Sequence, residues 1–164
     1  MADPKLYFTR AEFQQRLDKT RAEMARRGLD LLIVTDPSNM NWLTGYDGWS
    51  FYVHQCVVVG MEGEPIWYGR GQDANGALRT CYMEPANIIG YPDHYVQSTE
   101  RHPMDYLSAQ LKDRGLNGGS IGVEMDNYYF TAAAYASLQK HLPNARFVDA
   151  NALVNWLRAV KSEA

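Results

Sequence analysis

The run Leu29-Asp30-Leu31-Leu32-Ile33-Val34-Thr35 constrains the fold of this chain more than any other stretch. Apart from Asp30 it is continuously aliphatic or β-branched. It lacks both the alternation of a strand wetted on one face and the 3.6-residue recurrence of a surface helix. A strand of this kind needs cover on both faces, which helices supply in α/β sheets. The upstream flank agrees. Thr9 followed three residues later by Glu12 is a capping box, and Phe13, Leu17 and Met24 recur at helical spacing as far as Gly28, so a helix is expected over about 10–27.

Downstream, Asp36-Pro37-Ser38-Asn39 is turn chemistry that also starts a short helix through Met40 to Thr44, closed by Gly45. The aromatic and β-branched residues 51–59 predict a strand. A turn at 60–64 returns it as a second strand over 65–68, making a hairpin. Helix is expected over 72–82, interrupted by Gly76, and a short strand over 87–91, ended by Pro92. The helix expected over 103–114 has Pro103 at its start and Gly115 just past its end. A strand over 120–125, a helix over 131–142, a strand over 145–148 and a closing helix over 151–160 complete the pattern. The expectation is a three-layer α/β/α domain with a mixed sheet of five to six strands.

Sixteen basic against nineteen acidic residues give a formal charge of −3, which offers no long-range attraction to a nucleic-acid backbone or an anionic membrane. The opening MADPKLYFTR lacks a basic stretch followed by an apolar run, and no window approaches the roughly 18 apolar residues of a membrane span. The chain therefore reads as cytoplasmic. Cys56 and Cys81 lie in apolar surroundings without C-x-x-C spacing, as buried small hydrophobes do. A small hydrolase using Cys81 with a histidine is an alternative.

No metalloprotease H-E-x-x-H, nucleophile elbow, P-loop or dinucleotide fingerprint is present. Gly69-Arg70-Gly71 lacks a third glycine. The four histidines are scattered, and Asp93-His94 with His102 is the nearest approach to a cluster. Neither a catalytic nor a metal-ligating set is assigned. Two stretches are denser in possibility. From Asn41 to His54, large aromatics interleave with glycines, and they must pack either on the domain's own core or on a partner. Trp49, Phe51, Tyr52 and His54 are its candidate site residues. After the hairpin, Tyr68 to Asn75 brings Arg70 and Asp73 to a sheet-end loop, where ligands commonly bind. An exposed helix start with Asp73 near the dipole explains that stretch equally well.

The runs Arg16-Leu17 to Arg21, Gly28-Leu29-Asp30, Leu32 to Asn39 and Trp42-Leu43-Thr44-Gly45-Tyr46 resemble the amino-terminal domain of the creatinase, prolidase and aminopeptidase P family. The resemblance extends through Ile121-Gly122-Val123-Glu124 to Arg158, Lys161 and Ser162 and covers essentially the whole chain. Residues 35–51 and 72–77 are most similar to the family's ectoine-hydrolysing members.

The resemblance implies a ribonuclease-H-like motif over 1–160, with 161–164 starting a linker to a carboxy-terminal catalytic domain. That domain holds two divalent metals, and no cofactor is implied for this one. It also implies a homodimer in which this domain partly covers the neighbouring subunit's active site. In creatinase a phenylalanine and an arginine two residues later reach the neighbour's substrate. Phe51 stands at the first of these positions and Val53 at the second, so the guanidinium clamp on a creatine carboxylate is missing. By analogy, the substrates in order of preference are an ectoine-type cyclic amidine, creatine and an Xaa-Pro peptide. The alternative is a free-standing binding or interaction module with no catalytic domain.

Overall fold

The computed structural model describes residues 4–162. Its first helix, α1 (Arg10–Arg27), is capped by the Thr9 side chain, which accepts the Glu12 N–H at 3.1 Å, and ends at Gly28 with φ 65°. The capping box is one-sided, because the Glu12 carboxylate accepts instead from Arg16 Nε at 2.9 Å. The aliphatic run forms β1 (Leu31–Val34), every residue of which is buried. It lies inside the sheet between β2 (Cys56–Gly60), antiparallel, and β5 (Gly119–Val123), parallel. Strands β3 (Ile66–Arg70), β4 (Ile88–Tyr91) and β6 (Ala145–Asp149) complete the order β4-β3-β2-β1-β5-β6. Only β2 runs against the others. The five strands other than β4 follow the ribonuclease-H-like arrangement, with β4 as an added edge.

Helices cover both faces. Phe13, Leu17 and Met24 of α1, Met40 and Leu43 of α2 (Pro37–Thr44), Ala77 of α3 (Ala74–Thr80) and Leu153 and Val154 of α6 (Leu153–Ala159) pack with Leu32, Val34, Val57 and Trp67. On the other face, α4 (Pro103–Asp113) and α5 (Ala132–His141) bury Met104, Leu107, Ala134 and Leu138 against Ile33, Val58, Tyr68 and Ile121. Neighbouring residues of β1 thus enter opposite cores, as the unbroken aliphatic run requires.

Several expected elements come out shorter, three of them for a visible reason or at a notable place. The strand expected from Phe51 starts only at Cys56. Its partner β1 runs out at Val34, opposite Val57, where the chain turns into α2, so residues 51–55 have no ladder to join. They form a turn instead, Val53 N–H donating to the Ser50 carbonyl at 3.1 Å. Helix α3 covers 74–80 rather than 72–82. Helix α6 begins after Ala152, held at φ 59°, instead of at Asn151. Of the expected linker 161–164, residues 163–164 lie outside the described residues.

Candidate functional site

The carboxyl ends of β1 and β5 lie side by side, and the helices that follow them go to opposite faces: α2 joins the α1 side and α5 the α4 side. Such a divergence opens the crevice in which α/β sheets usually hold ligands. Here Glu124 fills it. Its Oε2 accepts the Thr35 N–H at 2.6 Å and the Asp36 N–H at 2.8 Å, and its Oε1 accepts from Asn39 Nδ2 at 2.7 Å. Only 2 % of Glu124 is exposed. Burial raises its carboxyl above the usual range, and the Asp36 and Thr35 amides and the Asn39 side chain pull it back. The fold supplies its own carboxyl group at this point. Sequence reading missed this role, although a single acid directly after a buried apolar strand was the available signal.

Asp36 caps α2 by accepting the Ser38 and Asn39 N–H groups at 2.9 and 3.0 Å. Gly45, at φ 82°, ends it, donating its N–H to the Asn41 carbonyl at 2.7 Å. The aromatic stretch then divides. Tyr46 turns inward, its ring 5.0 Å from that of Trp67. Trp49 and Tyr52 remain 81 % and 67 % exposed, and Phe51 is 40 % exposed. Trp49 and Tyr52 each pack edge to face on Phe51, which also meets Tyr129 at 6.2 Å. Of the two packing options read from the sequence, Tyr46 takes the domain's own core, while Trp49, Phe51 and Tyr52 stay exposed.

His54 is not part of the exposed ring cluster. Its ring lies 4.4 Å from that of His102, and burial, with the His102 charge adding to it, brings its pKa down to about 4. His102 accepts the Met104 N–H through Nδ1 and thereby caps α4. Of the loose Asp93, His94 and His102 grouping, Asp93 instead pairs with Arg70 through two bonds of 2.8 and 3.2 Å. His94 stacks near Tyr95. Arg70 is therefore engaged, whereas Asp73 at the head of α3 makes no capping bond. Among the described residues, no group of three or more His, Cys, Asp or Glu side chains could hold a metal ion.

The Cys81 alternative fails on geometry. Cys81 is 2 % exposed, its closest polar partner is Thr44 Oγ1 at 3.9 Å, and burial pushes the thiol up to about 12. A thiol so placed is neither accessible nor ionised at neutral pH. Cys56 is also buried and free. A cleft of about 620 Å³ opens beside the exposed aromatics, walled by Trp42, Trp49, Phe51 and Tyr129 and bordered by Arg158 and Lys161. No helix among the described residues is long and apolar enough to cross a membrane.

A mixed sheet whose strand-end crevice is filled by its own Glu124 side chain, with exposed aromatics on the loop after α2, defines a three-layer α/β domain. The chain belongs to the Creatinase/Prolidase N-terminal domain family, which matches residues 16–160. It is 65 % identical over 163 residues to the ectoine hydrolase of Halomonas elongata, covering 99 % of this chain and 41 % of that protein. The chain thus spans about two fifths of the length of that curated relative. In fold it is similar to a proline dipeptidase of Streptococcus pneumoniae, with a TM-score of 0.71 and 21 % identity, covering 88 % of this chain and 98 % of that one. It is also similar to the N-terminal domain of the cytoplasmic peptidase PepQ of Mycobacterium tuberculosis, with a TM-score of 0.64 and 21 % identity, covering 88 % and 98 %.

Proposed function

We propose that this domain serves a dinuclear-metal hydrolase without contributing a catalytic group, by joining two subunits and walling the substrate pocket of the neighbour. The observation that carries this reading is the exposure of Trp49, Phe51 and Tyr52 together beside the 620 Å³ cleft. Large rings fixed against one another lose little side-chain entropy on docking and exclude water from what they cover. The partial span of the curated relative supports a catalytic part beyond residue 160, reached through Arg158, Lys161 and Ser162. That part supplies the metals that activate water for attack on an amide or amidine carbon. This domain positions the substrate and keeps other water out.

The identity to an ectoine hydrolase favours a cyclic amidine as substrate, ahead of creatine or an Xaa-Pro peptide. Valine at position 53, where creatinase has its arginine, gives no carboxylate clamp for creatine. In the complete hydrolase, Phe51→Ala is expected to lower kcat/KM by about tenfold or more and to leave the melting temperature unchanged. Steady-state kinetics and calorimetry read both quantities. An unchanged kcat and KM would refute the pocket-wall role, and a dimer undisturbed by Trp49→Ala in sedimentation would refute the contribution to subunit contact.

A further inference from the structure

Two Asn-Gly pairs occur in this chain, Asn75-Gly76 and Asn117-Gly118. In such a pair the glycine nitrogen lies within reach of the asparagine side-chain amide carbon, and the missing Cβ leaves that approach open. Whether the two atoms react depends on orientation, because an intramolecular attack draws its rate from geometry. The fold treats the two pairs oppositely. Asn75 and Gly76 lie in the first turn of α3. There the Gly76 N–H donates to the Asp73 carbonyl at 2.9 Å and the Asn75 amide donates to the Gln72 carbonyl at 3.2 Å, so both reacting groups are held. Helical ψ also keeps the nitrogen off the face of the amide carbon.

Asn117 and Gly118 belong instead to the passage from α4 to β5, between Gly115 and Gly119. Those outer glycines sit at φ 72° and 75°, where glycine is favoured. Gly118 lies outside the left-handed region, and an added Cβ there would meet nothing within 4 Å. Neither the backbone nor the space around it demands a glycine at 118. Gly118 is exposed and Asn117 half-buried. Among the described residues, neither the Asn117 side chain nor the Gly118 N–H has a hydrogen-bond partner.

We propose that Asn117 is a site of spontaneous deamidation, converted to aspartate and isoaspartate in the folded protein while Asn75 is spared. The Gly118 nitrogen gives its proton to solvent and bonds to Asn117 Cγ. The Cγ–Nδ2 bond breaks, and ammonia leaves after Nδ2 takes up a proton. Water then adds to either carbonyl of the resulting succinimide ring, and opening restores a backbone N–H and leaves one carboxylate. The net change is amide plus water to carboxylate plus ammonium, without oxidant or reductant. The product bears on the sheet. Asp30 Oδ2 accepts the Ser120 N–H at 2.8 Å and lies so close to Gly119 that an added Cβ would stand 2.3 Å from it. A carboxylate at 117 adds a like charge two residues from that contact, and isoaspartate lengthens the main chain by one carbon just before β5, an interior strand. The inference is independent of the subunit role above.

The full-length protein is held for weeks at mildly alkaline pH and physiological temperature, with and without guanidinium chloride, and followed by peptide mass spectrometry. In the folded protein, conversion at Asn117 is expected to run about tenfold or more ahead of that at Asn75. In denaturant Asn75 is expected to close most of the gap, because the α3 restraints are gone. Gly118→Ala is expected to slow conversion at Asn117 about tenfold or more without lowering the melting temperature. Equal rates at the two sites in the folded protein, a gap that persists in denaturant, or an unaltered rate in a folded Gly118→Ala would each overturn the proposal. The comparison of the two sites within the parent protein decides the matter even if the variant does not fold.

Discussion

Glu124 is a carboxyl group held where hydrocarbon would ordinarily sit, and its tolerance depends on its donors. Removing it strands the Thr35 and Asp36 amides and one Asn39 N–H in a buried crevice. Glu124→Ala is therefore expected to cost about 3 kcal/mol or more, and Glu124→Gln less, since one oxygen remains to accept. Urea unfolding measures both, and a Glu124→Ala midpoint equal to the parent's would mean that the network adds nothing. His54 makes the opposite demand. Its folded pKa of about 4 lies below the ordinary histidine value, so between those limits the unfolded chain binds a proton that the folded chain refuses. Its contribution is fully present above about pH 6.5 and is lost as the pH falls through 4. Unfolding free energies across this window are expected to fall less steeply with acid in His54→Asn than in the parent. Equal slopes would show that His54 titrates normally.

Among the elements, the passage from α2 to β2 carries the interest of the molecule and was the hardest to read. The sequence places Gly45 correctly as a helix end, because the αL conformation at C′ favours glycine. The structure adds that a Cβ there would meet the Thr80 carbonyl oxygen at 2.7 Å. Gly45→Ala is expected to cost about 1–3 kcal/mol from its backbone conformation alone, with the contact adding to it. Thermal unfolding measures this, and an unshifted transition would show that the α2 end can relax freely. The aromatic residues 51–55 look like strand because aromatic and β-branched residues favour pleated surfaces. Whether a ladder forms depends on a partner, and β1 ends at Val34 for reasons that lie in Asp36 and Pro37. Local preference was read correctly there, and tertiary pairing overrode it. The imidazole cap of α4 was equally out of reach, since His102 is not a residue that announces a helix start.

For the whole molecule, alternating strands and helices made the three-layer architecture legible from the Leu29–Thr35 run outward, and the 60–64 turn revealed β3 as the strand returning beside β2. Strand order was not legible, because it depends on which crossover covers which face. Of the candidate site residues, Trp49, Phe51 and Tyr52 gather on one rim, Arg70 goes to Asp93, and His54 goes to His102. Side-chain pairing over such separations leaves no trace in spacing. One further arrangement ties the ends of the domain together. The Asn39 amide that serves Glu124 at 2.7 Å also donates to Asn155 of α6 at 2.8 Å. Helix α6 therefore cannot slide past α2 without breaking a bond to the side chain that also serves the buried carboxylate, and α2 leads directly into the aromatic loop. The last helix and the displayed rings thus share one anchor, α2, which holds α6 through this amide and through the common apolar cluster.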